Sequence, residues 1–348
     1  MKLLNKKGRR FIAEWEEQSA IMIAWPHKKT DWAYMLDDVE KCYADVAKAI
    51  LQKENLIIIT EDIERVKNLI GSNHKFKSQF VPLPTNDTWC RDFGAITIEE
   101  DGKLIVCDFK FNAWGGKFNW VLDNQITSKM NQLGLFKCAM DNCQDFILEG
   151  GSIETDGKGT LLVTSQCLLT PTRNSQMSKE DIESYLIHTL GVKKVLWLDY
   201  GAFAGDDTDS HIDTLARIAP NNSIIYAGCD DENDEHYIEL KKMEKQLSTF
   251  TSNDNKPFVL HKLPFPNAIY DENGERLPAT YANYLVGNGV VFVPTYNQPQ
   301  NDEKAIQVIQ SVFENYSIVG INCSALIKQH GSLHCITMQF PKNVFNDI

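Results

Sequence analysis

The sequence predicts an α/β protein in which similar strand-rich units form one closed domain. Strand-like runs rich in β-branched residues alternate with amphipathic helical stretches. From Glu61 onward the helical stretches recur about every 60 residues, with several strands between one helix and the next. No run of Ser, Gly and Pro marks a linker. We therefore expect about five units in a radial arrangement, in a single domain over residues 1–348.

The individual strands are predicted from short apolar runs bounded by turn signals. In chain order these runs are AIMIAW, NLIIIT, GAITIEE, KLIVCDF, GTLLVT, KVLWL, SIIYAG and GVVFVP. The clearest helix covers Leu36 to Lys53, where apolar residues recur at helical spacing. Further helices are expected to begin near Glu61, Trp120, Ser178, Asp234 and Asp302. Ser178 and Asp181 together indicate a capped helix start.

The composition and charge of the chain limit its partners and its compartment. A net charge of -12 argues against a surface for nucleic acid or for an anionic membrane, and it suits a cationic small molecule. Runs of about 18 apolar residues are absent, and the N-terminal stretch lacks the apolar centre of a secretory signal. The nine cysteines include no C-x-x-C pair, which argues against a disulfide framework or a zinc cage. We expect a cytoplasmic protein.

Two motifs place charged residues beside turns. NDTWCRDFG contains Trp89 and Asp92, and its simplest structural interpretation is an Arg-Asp pair near a strand start. ILEGGSIETDG places Glu149 before a double glycine, which lets another group approach the backbone closely. A buried carboxylate at that place needs a partner. The alternative is a hairpin turn with a solvated Glu149.

A third motif, GDDTDSHIDTLARIA, places His211 two residues before Asp213. If the segment is extended, both side chains point to the same face. The pair is then weak evidence for a metal site, because a third ligand group is missing, or it is a general acid/base beside a substrate-binding carboxylate. The remaining interpretation is a helix start that is capped by Ser210 or Asp209.

The fourth motif, HGSLHCITMQFP, covers residues 330–341 and reads as a buried strand. Adjacent strand residues face opposite sides, so His334 is not expected to activate Cys335 and is expected to be structural. Cys335 then needs a base from elsewhere in the chain, for which His211 is the natural candidate.

Together the motifs supply one cysteine, one histidine and three carboxylates. Carboxylates that gather in a pocket need a cation, and a guanidinium matches them with paired N–H groups. Two aspartates on opposite edges of a guanidinium would hold it flat and expose its central carbon to a thiolate. The residues therefore favour a cysteine nucleophile that acts on a cationic, guanidino-type substrate.

The four motifs W-x-R-D, E-G-G, H-x-D and H-C-I-T also occur in the order typical of a known family. The chain resembles the guanidino-group-modifying enzymes, which have a fivefold pseudosymmetric α/β propeller, the pentein fold. It is most similar to agmatine deiminases and bacterial peptidylarginine deiminases. The resemblance extends over AEWEEQSAIMIAWPH, FNAWGGK, CLLTPTRN and NGVVFVPTYN, nearly the whole chain. It implies five units of ββαβ type.

The resemblance implies a role for several residues, without a metal or an organic cofactor. The implied roles are the nucleophile Cys335, the general acid/base His211, the guanidinium-binding pair Asp92 and Asp213, the carboxylate Glu149 that orients and charges the histidine, and Trp89 packed against the substrate.

The expected substrate follows from a missing charge. Peptidylarginine-type relatives have arginines where this chain reads FNAWGGK, and Trp114 and Gly116 offer no such charge for an α-carboxylate. Agmatine, which lacks that carboxylate, fits better, and its product N-carbamoylputrescine belongs to polyamine synthesis. We expect Trp114, Gly116 and Asp207 to bind substrate. Asp207 and its acidic neighbours are alternatively turn and capping residues.

Other functions remain open at this point. Peptidylarginine deimination and amidino transfer would use the same fold. A non-catalytic binding propeller has no need of a nucleophile, and a Cys-His-Glu amide hydrolase has no need of two further carboxylates. A homodimer is an expectation that rests on the family alone.

Overall fold

Five small sheets contain the strands of the protein, which a computed structural model describes over residues 8–346. Within that range the strands are β1 (Arg9–Phe11), β2 (Gln18–Ala24), β3 (Asn55–Ile59), β4 (Ser78–Val81), β5 (Ile96–Glu100), β6 (Lys103–Lys110), β7 (Ala139–Ile147), β8 (Ile153–Thr155), β9 (Thr160–Thr164), β10 (Lys194–Leu198), β11 (Ala216–Ala219), β12 (Ser223–Ala227), β13 (Val259–Leu263), β14 (Leu285–Gly287), β15 (Val290–Thr295), β16 (Ser317–Asn322) and β17 (Thr337–Pro341).

The helices lie between these strands. They are α1 (Leu36–Ile50), α2 (Ile63–Ile70), α3 (Cys90–Phe93), α4 (Ala113–Gly116), α5 (Ile126–Gln132), α6 (Ser165–Leu168), α7 (Lys179–Leu190), α8 (Ile212–Leu215), α9 (Tyr237–Leu247) and α10 (Pro299–Val312). Short 3-10 turns cover Asp31–Met35, Asp123–Gln125, Gly150–Ser152 and Leu326–Gln329. Between residues 8 and 346, no helix has the length and apolar character needed to cross a membrane.

Each sheet follows one connection pattern. In the second sheet β8 pairs antiparallel with β9, α7 follows, and β10 returns parallel to β9. The sheets built on β6, β12 and β15 repeat this order with α5, α9 and α10 as the crossover helices. A crossover helix is needed because parallel neighbours cannot be joined by a tight turn. The α/β class and the ββαβ units that the sequence predicted are confirmed.

The remaining sheet joins the two ends of the described chain. β17 pairs antiparallel with β2, with Thr337 opposite Ile23, and β3 and β4 extend the sheet in parallel. One unit thus contains both the first and the last long strand, as a closed ring of units requires. The predicted domain, 1–348, also includes residues 1–7 and 347–348, which lie outside the described residues, so that boundary stays a prediction.

The hydrophobic core is shared between neighbouring units. Ile98 of β5, Leu161 of β9 and Tyr185 of α7 belong to one buried cluster, although they come from two sheets. The central strands are therefore covered on both faces, which explains why β3 and β9 read as continuous apolar runs and not as alternating ones.

Three predicted boundaries differ clearly from the structure. α1 ends at Ile50, and the helix expected near Trp120 begins at Ile126, after a 3-10 turn. The predicted strand over 330–341 is wrong for its first half, because residues 333–336 form a turn and β17 begins only at Thr337. The turn closes where the Thr337 N–H donates to the carbonyl of His334, which removes these residues from the strand ladder.

The capped start that was predicted for α7 is present, and it gives a test of the fold. Ser178 Oγ accepts from the Asp181 N–H, and the Asp181 carboxylate accepts from the Ser178 N–H. We expect Ser178→Ala to lower the free energy of unfolding by about 1 kcal/mol, measured by urea denaturation. Ser311→Ala is the control, because Ser311 Oγ only bonds back to the carbonyl of Val308 within α10. An equal loss in both variants would contradict the capping argument.

Candidate active site

Three of the expected site residues meet around the α-carbon of Gly151. A Cβ atom at this position would lie 2.6 Å from His211 Nδ1, 2.8 Å from Asp92 Oδ1 and 3.1 Å from Asp213 Oδ2. Only a residue without a side chain leaves room for the three groups. The turn that carries Gly151 follows β7, while Asp92 lies in α3 and Asp213 in α8, so the site is assembled from separate elements.

Asp92 is buried and held at both carboxylate oxygens. Its Oδ2 accepts from the indole N–H of Trp114 at 2.9 Å, and its Oδ1 accepts from the Gly151 N–H at 2.9 Å. Burial raises the pKa of Asp92 to about 6, with the Asp213 charge adding to the rise and His211 opposing it. Its geometry is thus fixed, while its charge is costly without a cation.

The Arg-Asp pair that the sequence suggested at this motif is wrong. Arg91 instead donates through Nη1 to Gln339 Oε1 at 2.6 Å and through its backbone N–H to the carbonyl of Cys335 at 3.2 Å. Adjacent residues of a helical turn point in different directions, so Arg91 faces the C-terminal segment while Asp92 faces the site. Arg91 therefore holds the turn that carries Cys335.

His211 and Asp213 lie at the start of α8. His211 is the residue before the helix, so the capping roles considered for Ser210 and Asp209 are not observed. Asp213 is fully buried, and its Oδ2 lies 2.8 Å from Nδ1 of His334. Among residues 8–346, His211 Nε2 and Asp213 Oδ1 are buried without a hydrogen-bond partner. His211 is packed against Cys167 and Glu149, so Asp213 Oδ1 is the atom that is available to a ligand.

The charge of His211 is set by its neighbours. Burial acts to lower the pKa of His211, but Asp92, Cys167 and Glu149 outweigh it and raise the pKa to about 10. The ring is therefore an imidazolium at neutral pH, with N–H groups at both nitrogens. It can supply a proton to a leaving group.

Cys335 lies in the turn before β17 and is buried. Its Sγ lies 3.4 Å from Asn283 Oδ1, which also accepts from the Cys335 N–H at 3.3 Å. Burial raises the pKa of the Cys335 thiol well above its usual value, and the charges of Asp213 and Asp92 add to the rise. A cation between the two aspartates would reverse that part of the shift.

Glu149 has a partner that the sequence analysis missed. Both of its carboxylate oxygens accept from Nε of Arg173, at 2.8 and 3.0 Å, and Arg173 Nη1 donates to Asp209 at 2.7 Å. Glu149 is fully buried, so the alternative of a solvated hairpin residue is wrong. A buried carboxylate needs a cation, and this requirement could have pointed to Arg173, which lies within the CLLTPTRN segment.

Glu149 and His211 also form a donor set with Cys167. One ligand atom from each of the three residues lies within 4.8 Å of the others, which is a spacing that a metal ion can use. However, Arg173 already occupies both oxygens of Glu149 and places a positive charge beside them. This arrangement opposes a cation at the set.

A cleft lies at the Trp114 end of the site, where the indole that lines it donates to Asp92. Trp89, Trp114 and Asp207 line it, together with the acidic residues Asp31 and Asp87. The structure thus brings three of the expected substrate-binding residues to one place.

The expected role of Gly116 is not supported by its position. Gly116 is exposed and absent from the cleft lining, and a Cβ there would meet no atom within 4 Å. Trp114 and Gly115 both have positive φ. With this backbone Trp114 is buried, while Gly116 is exposed. Within FNAWGGK, Trp114 is therefore the expected substrate-binding residue that lines the cleft.

The crowding around Gly151 predicts a selective loss of activity. We expect Gly151→Ala to lower kcat/KM by about 100-fold or more, because the new methyl group displaces His211 and Asp92 from their positions. The fold should persist, since the displaced atoms belong to side chains and not to the backbone. Gly320→Ala in β16 is the control, because a Cβ there meets only two side-chain methyl groups, those of Thr295 at 3.1 Å and Ile306 at 3.5 Å. Equal activity of the two variants would contradict this account.

Known proteins resemble this chain in both sequence and fold. The model of the Porphyromonas-type peptidyl-arginine deiminase family matches residues 10–341. A curated protein of Photobacterium profundum, named "Putative agmatine deiminase", is 32% identical, with 97% of each chain covered. The crystal structure of the "Putative Arginine Deiminase" from Porphyromonas gingivalis is 47% identical, with a TM-score of 0.92, and the match covers 97% of this chain and 100% of that one. The substrate-bound C. jejuni agmatine deiminase is 39% identical, with a TM-score of 0.90 and 97% of each chain covered. With a family model that matches almost its whole length, the chain belongs to the Porphyromonas-type peptidyl-arginine deiminase family.

Proposed function

We propose that the protein is a hydrolase that converts agmatine and water into N-carbamoylputrescine and ammonia. The observation that carries the proposal is the meeting of two buried aspartates and His211 around Gly151, beside the buried thiol of Cys335. Asp213 Oδ1 has no partner among the described residues, and a guanidinium N–H is the donor that would satisfy it. Relatives and solved structures named agmatine deiminase support the same assignment.

The first half of the reaction breaks a carbon–nitrogen bond. Asp92 and Asp213 hold the guanidinium, and the Cys335 thiolate forms a bond to its central carbon. His211, charged at neutral pH, gives its proton to the departing nitrogen, which leaves as ammonia. The carbon remains bound to sulfur as a cationic amidino-thioether, which the two aspartates continue to hold.

The second half consumes water. The imidazole of His211, now neutral, takes a proton from a water molecule as the oxygen bonds to the same carbon. The carbon–sulfur bond then breaks and restores the thiolate, the remaining hydroxyl proton passes to solvent and the released ammonia, and the neutral ureido product leaves. The role of Glu149 is to favour the charged form of His211, because its negative charge raises the pKa of that ring.

Substrate binding would also activate the nucleophile. Burial and the aspartate charges raise the pKa of Cys335 and keep the thiol protonated. A guanidinium between Asp92 and Asp213 cancels those charges, so the thiol loses its proton more readily when substrate is bound. With this coupling, the free enzyme would carry a thiol at Cys335, and the reactive thiolate would form only when substrate binds.

The cleft supports agmatine over arginine. None of the described residues that line it is Lys or Arg, whereas Asp31, Asp87 and Asp207 are among them. Lys117 lies nearby, but its Nζ donates to the Asp207 carbonyl and to Asp209. An α-carboxylate would therefore meet acidic groups without a lysine or arginine partner, while the primary ammonium of agmatine suits them. Trp89 and Trp114 supply an apolar wall for the methylene chain.

Two further expectations stay predictions. They are the cytoplasmic location and assembly as a homodimer, and both rest on the sequence and its family resemblance.

The substrate assignment predicts activity with agmatine alone. Purified protein with EDTA should release ammonia and a ureido product from agmatine, and little from arginine or an arginine peptide. Cys335→Ala should lower turnover by about 1,000-fold or more, since no other group forms the covalent bond. Cys138→Ala is the matched control, because Cys138 lies near the carbonyl of Val344 and not in the site. Turnover of the peptide would overturn the specificity argument. Normal activity of the Cys335→Ala variant would refute the assignment of Cys335 as the nucleophile.

The indole hydrogen bond to Asp92 predicts a pH effect. Asp92 binds guanidinium only when ionised, so kcat/KM should fall as the pH drops through its pKa of about 6. The Trp114 N–H lowers that pKa. Trp114→Phe should therefore raise it and move the acid limb to higher pH, by up to about one unit.

The pH profile of kcat/KM measures this effect, and Trp120→Phe is the control because the Trp120 ring contacts Lys110, away from the site. An acid limb that stays at the wild-type pH in Trp114→Phe would refute the assignment of this limb to Asp92.

A further inference from the structure

We propose that His334 is a positioning residue, which donates from Nδ1 to Asp213 and is itself held by Arg217, so that Asp213 keeps its free oxygen directed at the guanidinium. The inference rests on the function proposed above. It changes the assignment of His334 from a residue that fills the core to one on which guanidinium binding depends.

The first observation is the asymmetry of Asp213. Its Oδ2 lies 2.8 Å from His334 Nδ1, while Oδ1 has no partner among residues 8–346. Asp92, in contrast, has a hydrogen-bond donor at each oxygen, namely Trp114 Nε1 and the Gly151 N–H. The orientation of the Asp213 carboxylate therefore depends on one side chain, and that side chain is His334.

The second observation is the support behind His334. Its Nε2 lies 3.1 Å from Nη2 of Arg217, which also pairs with Glu14. The Arg217 guanidinium pairs with Glu154, donates to the carbonyl of Tyr284 at 2.5 Å and lies 4.6 Å from the centre of the Tyr284 ring. Arg217 is fully buried, and these contacts leave it no alternative orientation.

The hydrogen count then selects one form of the imidazole. Nη2 of Arg217 carries two hydrogens, one directed to Glu14 and one to His334 Nε2. Glu14 Oε2 lies 3.0 Å from the same nitrogen, so the position of the ring proton is decided at Nδ1. The neighbours of Asp213 lower its pKa and keep it an ionised carboxylate, which can only accept, so Nδ1 carries a proton that points at Asp213. In a neutral ring Nε2 then accepts from Arg217. Burial, Arg217 and Arg91 lower the pKa of His334, which agrees with a neutral ring. Glu14, whose charge opposes that shift, is already neutralised by Arg217.

The chain position of His334 links the two reacting parts. His334 immediately precedes Cys335, and the amide oxygen of Asn283 accepts from both backbone N–H groups, at 2.9 and 3.3 Å. One turn therefore carries the nucleophile and the donor that orients the carboxylate. Its position sets both groups relative to the substrate.

A pair of variants separates this role from simple packing. Asn places an amide N–H near the position of Nδ1, whereas Gln places its amide near Nε2. We expect His334→Asn to keep kcat/KM for agmatine within about tenfold of wild type. His334→Gln should lose about 100-fold or more, with KM raised and kcat lowered, because Asp213 turns away from the guanidinium. A packing role predicts the opposite order, since Gln is closer to His in volume.

Thermal melting supplies the second readout. His334→Gln keeps an acceptor for Arg217 and should melt at a higher temperature than His334→Asn, which loses that acceptor. Activity and stability should thus rank the two variants in opposite orders. A glutamine variant that is at least as active as the asparagine variant overturns the proposal. Wild-type turnover of agmatine is the reference: its absence contradicts the proposed function, and its presence with the wrong variant order contradicts only this inference.

Glu14→Gln covers the case in which neither His334 variant folds. Gln keeps the acceptor that Glu14 offers to the Val286 N–H, at 2.7 Å, but removes the charge that fixes Arg217. We expect kcat/KM to fall by about tenfold, although Glu14 lies outside the cleft at Trp89 and Trp114. A lower melting temperature with unchanged kcat/KM would show that Glu14, Arg217 and His334 have only a structural role, and it would contradict the proposal.

Discussion

The balance of buried charge at the centre of the protein is the constraint on which the rest of the structure depends. Five carboxylates lie there, each less than one-tenth exposed: Glu14, Asp92, Glu149, Glu154 and Asp213. Buried carboxylates need cations, and the chain supplies Arg217 between Glu14 and Glu154 and Arg173 at Glu149. Asp92 and Asp213 receive only His211 and His334. The site therefore has a shortage of positive charge where a guanidinium would bind, and ligand binding would complete the balance.

The repeated unit explains why these groups can meet. The catalytic candidates stand in turns or short helices that connect the strands, outside the strands themselves. Loops can vary in sequence without disturbing the shared apolar core, while the strands hold their ends in place. Gly151 shows how tightly the turns approach, because three side chains from α3 and from the start of α8 surround its α-carbon.

The ionisation of the site follows from the same burial. The protein groups raise the pKa of Asp92 to about 6, keep Cys335 protonated and keep His211 charged. None of these states alone favours attack by a thiolate. A bound cation shifts the two aspartates toward the charged form and the thiol toward the thiolate at once, so recognition and activation become one electrostatic event. The substrate would then supply part of the machinery that acts on it.

The sequence by itself determined the α/β class, the five-unit repeat and the residues that meet at the site, because apolar periodicity and ordered short motifs are local properties. It did not determine which charges pair. Glu149 pairs with Arg173, 24 positions along the chain, and Asp213 is bonded to His334, 121 positions away. The turn before Thr337 is held by the distant residues Arg91 and Asn283, and the exposed position of Gly116 follows two positive φ values at Trp114 and Gly115. Contacts between distant positions leave no local pattern, so only the tertiary structure could decide them.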